Sequence, residues 1–106
     1  HLAFQPAALA STPILEIAQV VTAFYLRLTV SDEPGVMARI TAILADSDIS
    51  IDALLQRESA EGEQQTDVII LTHDTQEGRM RQAIAKMQAL STVLAPIISI
   101  RKEELA

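Results

Sequence analysis

Between residues 24 and 45 the hydrophobic period of the chain changes, and few folds accommodate that change. Phe24, Leu26, Leu28 and Val30 alternate with Tyr25, Arg27, Thr29 and Ser31, the period-two pattern of a strand with one buried face. From Val36 the apolar residues recur as Val36, Ile40, Ile43 and Leu44, one stripe along a helix. The link between the two is Asp32-Glu33-Pro34-Gly35-Val36. Proline suits the first position of a helix, where it has no N–H to lose and its φ is already set. Asp32 and Glu33 precede it, where side-chain oxygens can accept bonds from free backbone N–H groups and offset the positive end of the helix dipole. Gly35 has no Cβ, so another group can approach the backbone. Such a link is either a well-made turn or a small site for a carboxylate or another polar group, and the pentapeptide alone leaves both open.

The remaining chain repeats the theme. Asp46-Ser47-Asp48 ends the helix, and Ile49 to Glu58 reads as a second strand, with Leu54-Leu55 breaking the alternation as a bulge does. A polar turn of hairpin type, Ser59 to Glu63, leads to a third strand, Thr66 to His73. Its Val68-Ile69-Ile70-Leu71 core is apolar on both faces, as expected of a central strand. Asp74 and Glu77 have the spacing of a capping box ahead of a second helical stripe, Met80, Ala83, Ile84, Met87 and Leu90, which Gly78 weakens and Pro96 bars from continuing. Ile97 to Lys102 is a fourth strand and Glu103 to Ala106 a tail. The order is β-α-β-β-α-β. This predicts an α+β, ferredoxin-like fold in which two split βαβ units interlock into a four-stranded antiparallel sheet with both helices on one face. The expected strand order is 4-1-3-2, which makes the first and third strands central. Residues 1–23, Ala-rich and without a clear period, read as the end of a preceding region plus a linker, and residues 24–106 as the folded domain.

Composition narrows the function. The 106 residues suffice for one modest aliphatic core. Cysteine is absent, which removes disulfides and thiolate chemistry. A formal charge of -6 argues against nucleic acid and anionic membrane as partners. No apolar run is long enough to span a bilayer, and the start of the chain lacks the layout of a signal peptide, so the expected location is the cytoplasm. The chain starts at His1, as a piece of something longer would. Three scattered glycines form no P-loop or dinucleotide fingerprint. No catalytic set of Ser, His and Asp and no metal-ligand spacing is present, and the expected cofactor and metal content is none. Glu58, Glu61 and Glu63 read as a solvated turn, and Met80 and Met87 as core filler.

The βαββαβ order together with Asp-x-Pro-Gly-Val at the first strand-to-helix link resembles an ACT domain over about residues 24–102. Phe24-Tyr25-Leu26-Arg27-Leu28, Asp32 to Val36, Ile49-Ser50-Ile51, Leu55-Gln56 and Ile69-Ile70-Leu71-Thr72-His73 resemble the C-terminal regulatory region of the bacterial homoserine dehydrogenase family. The lead-in Leu2-Ala3-Phe4-Gln5-Pro6 is similar to the end of the catalytic region there. The resemblance implies an NAD(P)-dependent parent that interconverts homoserine and aspartate semialdehyde, with its catalytic residues upstream of His1. It implies a domain that senses an amino acid, threonine first among them, as a homodimer. The ligand would lie between two domains, with Asp32, Gly35 and Val36 of one facing Ile49, Ser50 and Ile51 of the other. Many amino-acid-binding ACT domains carry Asn where Ser50 stands; serine offers one hydroxyl in place of an amide donor and a carbonyl acceptor. A structural dimerisation module and an ACT domain of another amino-acid biosynthetic enzyme are the alternatives.

Overall fold

The computed structural model describes residues 17–105; the lead-in from Leu2 to Pro6 lies outside them. In chain order the elements are β1 (Val21–Thr22), β2 (Phe24–Ser31), α1 (Val36–Asp46), β3 (Ile51–Gln56), β4 (Gln65–Thr72), β5 (Thr75–Gln76), α2 (Glu77–Gln88), β6 (Ile98–Arg101) and α3 (Lys102–Leu105). The main sheet has the order β3-β4-β2-β6, every neighbouring pair antiparallel. Numbered by the four long strands alone, this is the 4-1-3-2 order expected from the sequence.

The alternation in β2 sends Phe24, Leu26, Leu28 and Val30 into the core, and Val68 and Ile70 of β4 join them. Val36, Ile40 and Leu44 of α1 and Met80, Ala83 and Met87 of α2 belong to the same buried cluster, so both helices cover one face of the sheet. Among the described residues the opposite face carries no helix. There Tyr25, Ile69, Leu71 and Ile100 are half-buried, while Leu55 and Ile98 are exposed. The two apolar faces of β4 therefore have different causes: one is core, and the other is this open face.

Three local expectations are corrected. The second strand is Ile51–Gln56 rather than Ile49 to Glu58, and its bulge is not at Leu54-Leu55. The register shifts between Ile51 and Ala53, and Leu54 and Leu55 pair in regular alternation with Ile70 and Ile69. Asp74 does not cap the second helix, whose N-cap is Gln76 with no side-chain cap bond. Thr75 and Gln76 are drawn instead into a two-stranded ladder with Thr22 and Val21, and the Glu77 N–H donates to the Val20 carbonyl at 2.8 Å. The lead-in from Ile17 onward, one helical turn and β1, is thereby strapped to the start of α2. An added Cβ on Gly78 would lie 3.2 Å from the Ala18 carbonyl oxygen, so this glycine, costly to a helix, makes room for the strap. No helix among the described residues is long and apolar enough to cross a membrane.

Candidate functional site

The strand-to-helix link is closed by backbone alone. The Glu33 N–H donates to the Ser31 carbonyl at 3.0 Å, and the Val36 N–H reaches the Glu33 carbonyl at 3.5 Å. Gly35 is the N-cap of α1 at φ 85° and ψ -10°, with no side-chain cap bond. The expectation that Pro34 opens the helix and that Asp32 or Glu33 caps it is thus corrected. Pro34 stands in the turn before the helix, and a left-handed residue makes the bend, a conformation open to glycine at little cost. A Cβ on Gly35 would meet nothing within 4 Å. Its backbone faces open space beside a helix start, where the first N–H groups have no partners within the helix.

Asp32 donates its N–H to the Gln64 carbonyl at 2.9 Å. It borders a cleft of about 410 Å³ shared with Gln56, Arg57, Glu58 and Ser59. Arg57, the cation of this cleft, is engaged by Glu63 at 3.2 Å. Val36 is in the core, as is Ile49, so these two can offer a ligand only backbone groups. Ser50 is exposed, and its carbonyl accepts the His73 N–H at 2.9 Å. Ile51 opens β3 opposite Thr72.

Within one chain the two sets of residues do not meet. Asp32, Gly35 and Val36 follow the end of β2, whereas Ile49, Ser50 and Ile51 lie near its beginning, because β2 and β3 both run antiparallel to β4. The eight residues of β2 separate the sets, roughly 24 Å at strand rise. Any site that uses both must take one set from a second copy.

The sheet end that carries Ser50 holds a second concavity, about 630 Å³, which the sequence did not reveal. Tyr25, Asp52, Leu71, His73, Asp74 and Lys102 are among its lining residues. They come from the ends of β2, β3 and β4, the loop after β4 and the start of α3, so no local motif marks them. The retrievable signal was alternation, since Tyr25, Leu71 and His73 all fall on the helix-free face. The β3 bulge supplies Asp52. Ile51 pairs with Thr72 and Ala53 with Leu71, so Asp52 is the extra residue. Its carboxylate lies 3.6 Å from the His73 Nε2, a pair that is ionic only when the imidazole is protonated.

The four-stranded antiparallel sheet with both helices on one face is a ferredoxin-like α+β fold. The ACT domain family model matches residues 24–92, and the chain belongs to that family. Over all of its 106 residues it is 51% identical to the homoserine dehydrogenase of Methylobacillus glycogenes, aligning with the C-terminal part. The crystal structure of a homoserine dehydrogenase from Thiobacillus denitrificans matches the whole chain at 53% identity and a TM-score of 0.74, over 23% of its own length. The chain spans about a quarter of the length of the curated relatives it matches. A crystal structure of the ACT domain from GTP pyrophosphokinase of Chlorobium tepidum shares the fold at a TM-score of 0.62 and 11% identity, covering 76% of this chain and all of that one.

Proposed function

We propose that this ACT domain is the amino-acid-sensing part of a homoserine dehydrogenase, that it acts as a homodimer, and that threonine is its ligand. The parent activity would be the NAD(P)-dependent interconversion of homoserine and aspartate semialdehyde, carried by residues outside this chain. The reading rests on the likeness to homoserine dehydrogenases over the full chain and on one geometric observation. The two half-sites sit at opposite ends of a sheet whose edge strand, β3, has no neighbour on its outer side among the described residues.

An edge of unpaired backbone groups is a template for another strand. A second copy pairing antiparallel along β3, about a two-fold axis, sets the Ile51 end of one strand beside the Gln56 end of the other. Asp32 borders the same cleft as Gln56. That arrangement therefore brings Ile49, Ser50 and Ile51 of one copy up to Asp32, Gly35 and Val36 of the other. Free N–H groups at the α1 start suit a carboxylate, and Asp32 suits an ammonium. The Ser50 hydroxyl suits a hydroxylated side chain.

Sedimentation equilibrium at micromolar concentration, followed by calorimetric titration with threonine, tests the reading. A dimer with saturable heats is expected. A monomer without heats overturns it, and a dimer that takes no amino acid makes the domain a structural module.

A further inference from the structure

We propose that the cavity lined by Tyr25, Asp52, Leu71, His73, Asp74 and Lys102 is a second ligand site, complete within one chain, for a small zwitterion with an apolar body. Its volume of about 630 Å³ lies within the roughly 300–1,000 Å³ of small-molecule sites. Its chemistry is bipolar. Lys102 brings an ammonium and Asp74 a carboxylate, and among the described residues neither side chain has an ion-pair or hydrogen-bond partner. Tyr25 and Leu71, both half-buried, give an apolar surface between strand ends. A ligand carboxylate at Lys102 and a ligand ammonium at Asp74 would each find an opposite charge, with the ligand's hydrocarbon against Tyr25 and Leu71. A free α-amino acid with an aliphatic side chain is the simplest molecule of that kind.

The β3 bulge is the second observation. In a regular strand Ile51 and Ala53 would share a face. The extra residue instead lets Ile51 join the core-facing Thr72 while Ala53 joins Leu71 on the open face. Bulges re-aim side chains in this way. Here the re-aimed group is a carboxylate, 3.6 Å from the His73 imidazole at the cavity wall. Tyr25 and Leu71 of its wall pair with each other across β2 and β4 on the helix-free face. The link at Gly35 lies at the other end of the sheet of the same chain; the proposed interfacial site reaches this end through Ile49, Ser50 and Ile51, but none of its six residues lines the cavity.

The chain has one tyrosine and no tryptophan, so its tyrosine emission reports on Tyr25 in this cavity. The chain would be titrated with L-leucine, with 4-methylpentanoate, which lacks the ammonium, and with isoamylamine, which lacks the carboxylate. Leucine should change the emission saturably, and each analogue should bind about tenfold more weakly or worse. Lys102→Met should bind leucine no better than the parent binds isoamylamine. Asp74→Asn should bind leucine no better than the parent binds 4-methylpentanoate. Affinity should not vary with protein concentration, because no second copy is needed. Lack of a saturable change with leucine overturns the proposal, as do analogues or variants that bind equally well. An affinity that tracks dimerisation overturns it too, by assigning the signal to the interface, whatever the threonine titration shows.

Discussion

Substituting Gly35 separates backbone geometry from space at the strand-to-helix link. Gly35 sits at φ 85°, and a Cβ built there meets nothing within 4 Å. A larger residue therefore does not clash, and its cost is that of holding an L-residue in the left-handed region. That cost is roughly 1–2 kcal/mol. The stiffer unfolded chain of an alanine variant offsets about 0.5 kcal/mol of it, so Gly35→Ala should lose about 1 kcal/mol. Asparagine tolerates the region better than other non-glycine residues, and Gly35→Asn should lose about half as much. Val is β-branched and unsuited to positive φ, and should lose about 2 kcal/mol. Urea unfolding followed by far-ultraviolet circular dichroism reads the series, which should run Gly, Asn, Ala, Val from most to least stable. If space were limiting, the order would follow side-chain volume and Ala would be more stable than Asn. Finding Ala above Asn, or Ala equal to Gly, refutes the reasoning. Gly35→Asn is also the variant to titrate with threonine, since it adds a side chain beside the helix start at the smallest cost to the turn.

Two further variants probe the sheet end that bears the cavity. Thr72 is buried and its Oγ1 accepts the Phe24 N–H at 3.0 Å; Thr72→Val orphans that donor and should cost about 1–3 kcal/mol in urea unfolding, while Thr72→Ser, which keeps the oxygen, should cost less. Asp74→Ala should leave stability within about 0.5 kcal/mol of the parent, because the helix is capped at Gln76 and not at Asp74; a loss near 1 kcal/mol, the usual cost of a missing N-cap, would restore Asp74 to the capping role.

The strand order was legible because each long element buries one face and its period is visible within a few residues. Phe24 to Ser31 announces a strand with one buried face by pattern alone, Val68 to Leu71 announces a strand apolar on both faces, and Met80, Ala83 and Met87 announce the α2 core face. The misreadings at Asp74 and at the bulge share a different cause, in that each turned on a partner remote in sequence. Asp74 and Glu77 carry a valid capping signal, but Thr75 and Gln76 pair with Val21 and Thr22 more than fifty residues earlier, and the helix starts where that ladder ends. Pro34 is a good first helical residue, but Gly35 makes the bend after it. Leu54-Leu55 imitates a bulge because Leu54 packs against the core while Leu55 lies on an open face that is itself apolar. The Asp52 bulge leaves no mark in the sequence, since only the pairing with Thr72 and Leu71 defines it. Asp32, Gly35, Val36, Ile49, Ser50 and Ile51 were named through family resemblance alone; the cavity residues carry no such signal, because topology alone gathers them.

The bulge also bears on how a second copy could pair. Residues Ala53 to Gln56 form the regular part of the β3 ladder, and Asp52 interrupts it on the Ile51 side. A bulge bends its strand and disrupts pairing locally, so an antiparallel partner would find a flat edge of only these four residues. A two-fold axis centred on them falls between Leu54 and Leu55. It sets Ala53 of one copy opposite Gln56 of the other, and leaves each bulged end beside the partner's Arg57 to Ser59. Those are the residues that share a cleft with Asp32. One extra residue at position 52 thus has two effects. It turns a carboxylate toward His73, and it would limit the registers open to a second copy pairing along β3. Deleting Asp52 would leave Ile51 and Ala53 as neighbours in regular alternation opposite Thr72 and Leu71, so Ile51 should keep its core face while the flat edge lengthens, and the dimer, if it forms by this edge, should lose its single register.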